Sequence, residues 1–181
     1  MDAPHHPDLV TLERLQESDL AEFARALQEA FTAGAQEAFG QPQDELIPCV
    51  EDVYASCQAA NAVSYRLLRQ GQPVGGAVLI IDAHSGHNSL DFFFISPQAH
   101  GRGLGTQAWQ AIERAYPQTR VWETHTPYFE KRNIHFYLNK CGFKIVEFYH
   151  HQHPGPHREE QSGPEMLDEM FRFEKRMDCH D

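Results

Sequence analysis

The stretch that decides the fold is Ser89-Leu-Asp-Phe-Phe-Phe-Ile-Ser-Pro-Gln-Ala-His-Gly-Arg-Gly-Leu-Gly-Thr106. Its apolar run from Leu90 to Ile95 is typical of a central strand that is buried on both faces. A turn is expected at Pro97, and a helix is expected over residues 106–116. Between the turn and the helix, single residues separate three glycines, Gly101, Gly103 and Gly105. The segment therefore predicts a strand, a glycine-rich loop and a helix in direct succession.

The loop and the start of the helix predict a binding site for a phosphate group. Glycines permit positive φ angles and let a ligand approach the backbone. The first N–H groups of a helix lack intrahelical partners and favour anions. Arg102 lies within the loop and adds a fixed positive charge. A glycine-rich turn that binds nothing is the alternative that the loop alone leaves open.

Two common nucleotide-binding motifs do not match this loop. No Gly-Lys-Ser/Thr follows the glycines, which excludes the loop of P-loop NTPases. The spacing also differs from the dinucleotide fingerprint, and the loop does not belong to the first strand–helix unit of the chain.

The length and composition indicate a single globular domain over residues 1–181. A net charge of −11 argues against a nucleic-acid binder, whose surface is basic, and agrees better with neutral or cationic partners. Neither a signal peptide nor an apolar run of membrane-spanning length is visible, so a cytoplasmic protein without membrane contact is expected. The four cysteines form no C-x-x-C pair and are expected to be free thiols.

The remaining segments predict strands mixed with helices. Helices are expected from Glu17 to a closing Gly34 and from about Asp44 to Ala60. A third helix should run from Pro127 to about Lys140, with Gly142 ending it. Strands are expected over residues 9–15, 62–69, 74–82, 120–126, 143–149 and 170–177. Hairpins combined with strand–helix–strand crossovers predict one α/β domain with a mixed sheet.

A second motif, Arg132-Asn-Ile-His-Phe-Tyr-Leu-Asn-Lys-Cys-Gly-Phe143, identifies a resemblance. Over about residues 63–150 the chain resembles the GNAT superfamily of acyl-CoA N-acyltransferases. In that family a strand and often a proline precede Gln/Arg-x-x-Gly-x-Gly/Ala, which corresponds here to His100-Gly-Arg-Gly-Leu-Gly105. The family's second pattern, Asn followed by Phe/Leu-Tyr-x-x-x-Gly-Phe, corresponds to Asn133 and to 136–143. The resemblance implies a mixed, mostly antiparallel sheet that is splayed in the middle and flanked by helices.

The resemblance also implies how acetyl-CoA is bound. The strand backbone would pair with the pantetheine arm, the loop N–H groups would hold the pyrophosphate, and Asn133 would contact the pantetheine. His100 departs from the usual Gln or Arg, and only its protonated form adds charge. The cofactor-binding residues implied in this way are Phe93, Phe94, Ile95, His100, Gly101, Arg102, Gly103, Leu104, Gly105, Thr106 and Asn133.

Catalysis in this family needs an acid for the departing thiolate and a base for the amine. Tyr137 resembles the family's general acid, since a phenol next to the sulfur can donate a proton; packing of the helix on the sheet is its alternative role. Asp91 and Glu123 are acids within apolar strands and are the candidate bases, with Glu123 ranked first. His125 lies on the same face as Glu123. Ion pairs or a solvent-facing edge would explain these polar residues equally.

The histidine-rich loop and Cys141 are not assigned a role in the reaction. The histidines of the loop 150–157 could bind a metal, but no matching ligand spacing accompanies them, and the family needs none. Cys141 beside Gly142 is interpreted as a packing residue, not a nucleophile.

The expected reaction is direct acetyl transfer from acetyl-CoA to an amine, in a protein that could form a homodimer. A non-catalytic domain that binds acetyl-CoA or CoA is the competing hypothesis, and a hydroxyl acceptor is a third.

Overall fold

A computed structural model describes residues 9–40, 48–156 and 169–178. The strands are β1 (Thr11–Arg14), β2 (Ala62–Arg69), β3 (Gln72–Ile80), β4 (His87–Ile95), β5 (Val121–Pro127), β6 (Lys144–Tyr149) and β7 (Met170–Arg176). The helices are α1 (Leu20–Phe39), α2 (Val50–Gln58), α3 (Leu104–Ala115) and α4 (Lys131–His135), the last continued by a π-helical turn (Phe136–Lys140). No helix within these ranges is long and apolar enough to cross a membrane.

The seven strands form one sheet in the order β1-β2-β3-β4-β5-β7-β6. Every neighbouring pair is antiparallel except β4 and β5, which are parallel. These two strands pair only from His87 with Val121 to Leu90 with Thr124. Beyond that point they separate, and we call the gap between them the splay. The predicted α/β fold, with a mostly antiparallel sheet splayed in the middle, is confirmed.

The sheet is covered on both faces. On one face α3 and α4 pack against β4, β5 and β7 around the fully buried Trp109, Trp122 and Phe173. On the other face α1 and α2 pack on β3 and β4 through a separate cluster, whose buried members are Phe23, Ala24, Leu27, Val53, Val78 and Phe94. The apolar run of β4 is divided between the two clusters, as expected for a strand buried on both faces.

A β-bulge at Asp91 determines which side chains of β4 face which layer. Val78 is paired with Phe92 and Leu79 with Leu90, so Asp91 has no partner on β3. Because the extra residue reverses the alternation of side chains, Leu90 faces α3 while Phe92 and Phe94 face α1.

Glycines in β3 allow α1 to lie close to the sheet. A methyl group on Gly76 would overlap the Phe23 ring of α1 and come within 2.6 Å of the Phe94 ring. On Gly75 it would overlap the carbonyl oxygen of Phe94. Gly75 and Gly76 thus allow β4 and α1 to approach β3 closely.

Three predicted helix boundaries are wrong. Gly34 does not close α1, which continues to Phe39 and ends at Gly40, the residue with the left-handed φ of 70°. The second helix begins at Val50, because Pro48 lies in a bend and Cys49 is extended. The expected start at Asp44 lies outside the described residues. Pro127 still belongs to β5, because it pairs with Met170 of β7, so α4 starts only at Lys131.

Candidate acetyl-CoA and amine site

The free edge of β4 offers main-chain groups to the splay. The N–H of Ser96 donates to Val74 of β3 at 2.8 Å, and the carbonyl of Phe94 also points towards β3, at Gly75. Because successive residues of a strand direct their polar groups to opposite sides, Phe93 and Ile95 face the splay. Of the three residues implied to pair with pantetheine, Phe94 therefore directs its main chain to β3, and its side chain is buried beneath α1.

The glycine loop forms an open cradle at the start of α3. Gly101 and Gly103 have φ angles of 80° and 69°, and a Cβ on either would have nothing within 4 Å. The first helical hydrogen bond is from the N–H of Gln107 to the carbonyl of Gly103. The N–H groups of residues 104–106 therefore precede the helical ladder. This arrangement fits a pyrophosphate.

His100 is tied to the end of β4. Its Nε2 lies 2.8 Å from the carbonyl oxygen of Ile95. A carbonyl can only accept, so this nitrogen carries the proton. The remaining nitrogen, Nδ1, can donate to a phosphate only when the ring is protonated.

Tyr137 lies where the splay begins. The residue is 5% exposed and packs against Phe143 and Phe173. Burial raises the pKa of its phenol, and a hydrogen bond with the Thr124 hydroxyl opposes part of that rise. Thr124 in turn donates to the carbonyl of Leu90 at 2.9 Å, its partner in the last pair of β4 and β5. The phenol thus stays protonated and is held at the point of strand separation, although it also belongs to the core.

The segment after Tyr137 is one residue longer than the family pattern quoted above. Four residues, 138–141, separate Tyr137 from Gly142, where the pattern has three. The structure accommodates the additional residue in the π-helical turn, in which the N–H of Cys141 donates to the carbonyl of Phe136 at 3.0 Å. Single π-helical turns of this kind occur frequently at functional sites.

Phe136 and Asn133 bring α4 to the splay. The Phe136 ring stacks on Phe93 with centroids 5.6 Å apart. It also lies against α3, where a Cβ on Gly105 would be 3.1 Å from it. Asn133 donates from Nδ2 to the Thr126 hydroxyl at 3.4 Å. Its predicted contact with pantetheine remains a prediction.

The two predicted bases lie on the α1/α2 face in different surroundings. Asp91 is exposed and accepts a hydrogen bond from the Ser56 hydroxyl of α2 at 2.9 Å. Glu123 is bonded to Arg172 at 3.2 Å and to His87 at 3.1 Å. The third candidate, His125, stacks on Tyr149 with ring centroids 6.0 Å apart.

Three side chains that could bind a metal ion lie close together: His87, Glu123 and Glu174. The guanidinium of Arg172 contacts the two carboxylates of this group. Nη1 of Arg172 lies 3.2 Å from Glu123 and 2.5 Å from Glu174. The guanidinium is thus paired with both carboxylates of this group.

In the histidine-rich loop 150–157, the backbones of His150 and His153 form an isolated antiparallel β-bridge. The Nε2 of His153 lies 2.7 Å from the carboxylate of Glu147. His157 lies outside the described residues.

Cys141 is buried in the main core, where burial raises the pKa of its thiol to about 12. At that pKa the thiol stays protonated, which agrees with the packing role expected for it.

Sequence reasoning missed one acid near the splay. Glu130 lies in the turn between β5 and α4, half-buried against α1. Its immediate sequence, between Phe129 and Lys131, resembles an ordinary polar helix start, so no local pattern distinguishes it.

Comparison with known proteins identifies the family. Residues 20–143 match the model of the acetyltransferase (GNAT) family, and the chain belongs to this family of acyltransferases. The chain is 52% identical over 173 residues to the uncharacterized protein YrkN of Bacillus subtilis (strain 168), covering 93% of this chain and 94% of that protein.

Solved structures agree with this assignment. An acetyltransferase from Thermus thermophilus has a TM-score of 0.67 at 17% identity, covering 95% of this chain and 99% of that one. Spermidine N-acetyltransferase from Vibrio cholerae, solved with CoA and spermine, has a TM-score of 0.61 at 17% identity, covering 93% and 95%. These structural similarities show that the chain has the same fold as those proteins. The predicted family is thus confirmed, and with it N-acetyltransferase chemistry in general terms.

Proposed function

We propose that the protein transfers the acetyl group of acetyl-CoA directly to a primary amine. The observation that carries the proposal is the position of the Tyr137 phenol at the point where β4 and β5 separate, with a free edge of β4 between it and the open glycine loop. The three features match the three parts of an acyl-CoA. The strand edge would bind the pantetheine, the glycine loop would bind the pyrophosphate, and the phenol would lie next to the sulfur.

The chain would hold the donor mainly through its backbone. Phe93 and Ile95 would pair with the pantetheine arm as an added strand does. The first N–H groups of α3, together with the loop from Gly101, would bind the pyrophosphate, and Arg102 would add charge. Asn133 would contact the pantetheine from α4.

The chemistry would be positioning followed by proton transfer. The amine nitrogen forms a bond to the acetyl carbonyl carbon, and the carbon–sulfur bond breaks. A free N–H of β4 close to the opening of the splay would polarise the carbonyl, and Tyr137 would donate its proton to the thiolate. Before the attack a base must take a proton from the amine, for which Asp91 and Glu123 were predicted.

Two measurements test this proposal. Calorimetry with acetyl-CoA should show binding at one site per chain; absence of binding would contradict it. Thiol release should then be screened over polyamines, aminoglycosides, amino acids and peptide N-termini. The acidic composition favours cationic acceptors in this screen. Binding without turnover on any amine would favour the competing hypothesis of a CoA-binding module.

A further inference from the structure

Helix α1 connects the two sides of the splay. On the β4 side, the Phe31 ring contacts Phe92 with centroids 6.0 Å apart. Past β5, the Phe39 ring contacts Phe129 at 4.6 Å. Gly34 lies between these contacts and faces Glu130, which follows β5. The helix therefore covers the splay on the α1/α2 face, the side that the acetyl-CoA cradle on α3 does not occupy.

The carboxylate of Glu130 lies against the backbone of α1. A Cβ on Gly34 would be 3.3 Å from its Oε1 and 3.5 Å from its Oε2. Glycine in a helix interior costs about 1 kcal/mol relative to alanine. Gly40, and not Gly34, ends the helix, so a helix end does not explain the glycine at position 34, and the missing Cβ leaves room for this carboxylate.

Glu130 also lies close to the reacting region. Gly34 follows Phe31 by three residues, about 4.5 Å along the helix axis. The carboxylate therefore contacts the same part of α1 whose Phe31 ring touches Phe92, the residue next to Asp91 at the opening of β4. Glu130 also begins the helix that carries Asn133 and Tyr137, since its carbonyl accepts from the N–H of Ile134 at 3.0 Å.

The electrostatic setting is that of a base. Burial raises the pKa of the Glu130 carboxyl, the neighbouring Glu37 raises it further, and Arg132 opposes the rise. Arg132 itself pairs with Glu37 at 3.3 Å, on the exposed side. Within the described ranges no cation forms an ion pair with Glu130. By contrast, Arg172 and His87 already occupy the carboxylate of Glu123.

We propose that Glu130 receives the ammonium group of the acceptor beneath α1 and accepts the proton that this group must lose before attack. This rests on the proposed N-acetyltransferase function and names the acceptor class: a primary ammonium with an apolar neck that fits among the rings of Phe31, Phe92 and Phe129. The negative faces of aromatic rings attract such a cation.

The protons balance as follows. The ammonium gives its first proton to Glu130, which passes it to water. The nitrogen then forms the bond to the acetyl carbon, and the carbon–sulfur bond breaks. The second proton, lost as the amide forms, replaces the one that Tyr137 donates to the CoA thiolate.

The test compares three variants of the full chain, each with acetyl-CoA and the best amine from the screen. Glu130→Gln should lower kcat/KM for the amine about 100-fold and leave the affinity for acetyl-CoA, measured by calorimetry, unchanged. Glu37→Gln is the matched control on the exposed surface; it should keep the activity within about twofold. It should also move the acid limb of the pH–rate profile to lower pH, since a like charge that raises the pKa of Glu130 has been removed.

Gly34→Ala separates positioning from folding. The added methyl group displaces the carboxylate by a few tenths of an ångström, while alanine favours the helix. We expect an unchanged or higher melting temperature together with a several-fold lower kcat/KM, about fivefold. A residue with only a structural role would not produce this combination.

The outcomes distinguish the two proposals. If wild-type protein acetylates an amine and Glu130→Gln retains kcat/KM within threefold with the same acid limb, the role of Glu130 is refuted and the proposed function stands. If wild-type protein acetylates no amine, the proposed function fails and this inference fails with it. Loss of activity in Asp91→Asn but not in Glu130→Gln would assign the base to Asp91 instead.

Discussion

The close packing of α1 on β3 predicts that Gly76→Ala destabilises the protein. The new methyl group would overlap the Phe23 ring and come within 2.6 Å of the Phe94 ring. Both rings are buried, at 4% and 5% exposure, and they contact each other edge-to-face at 5.6 Å, so neither can move freely. Overpacking of this kind costs about 1–3 kcal/mol, of which the better backbone propensity of alanine recovers roughly 0.5–1 kcal/mol.

At the centres of these two ranges the net loss is about 1 kcal/mol, which should lower the melting temperature by about 2–4 °C for a chain of this size. Circular dichroism during heating measures it. A double-mutant cycle with Phe23→Leu gives the control, because the smaller side chain relieves the overlap. The double variant should be more stable than the sum of the two single effects predicts. A Gly76→Ala variant as stable as wild type, or strictly additive effects, would refute the packing of α1 described here.

Three further predictions concern the site. In His100→Ala the hydrogen bond from Nε2 to the carbonyl of Ile95 is lost, so the start of the glycine loop is held less firmly and the affinity for acetyl-CoA should fall about tenfold; an unchanged affinity by calorimetry would show that the histidine does not contribute to binding. Deletion of Asn139 removes the extra residue, so the π-helical turn should become α-helical without rotating the segments on either side of it; kcat should then stay within about threefold of wild type, and a fall of about tenfold or more with acetyl-CoA still bound would show that the turn itself positions the Tyr137 phenol. Gly103→Ala forces alanine into a left-handed conformation, at a cost of roughly 1–2 kcal/mol, and should weaken acetyl-CoA binding measured by calorimetry; unchanged affinity would argue against the cradle.

The parts of the fold with local signals could be predicted from sequence. The apolar run of β4 and the glycines after it specify a buried strand and a positive-φ loop through neighbouring residues alone. Gly142 could be identified as a helix end for the same reason, and it has a φ of 79°. Residues 100–106 and 133–143, read together, were sufficient to identify the family.

The features that could not be predicted depend on contacts between distant residues. Gly34 looked like a helix end, but its role is set by Glu130, 96 positions away in the chain. The bulge at Asp91 becomes visible only when β4 is paired with β3. Similarly, an arginine on β7 neutralises Glu123, and no pattern within β5 could reveal that partner.

The extra residue after Tyr137 is present in the sequence, yet its consequence is structural. A helix can absorb one residue by a π-helical turn or by rotating everything that follows it. Only the hydrogen bond from Cys141 to Phe136 distinguishes these possibilities.

The central claim is that Tyr137 is the acid of an acetyl transfer from acetyl-CoA to an amine. The most direct test is single-turnover acetylation by wild-type protein and by Tyr137→Phe, followed by thiol release and by the mass of the amine product. We predict that wild-type protein adds one acetyl group to the amine. Tyr137→Phe should bind acetyl-CoA with equal affinity but turn over at least 100-fold more slowly. Equal rates for the two proteins, with normal folding of both, would contradict the account.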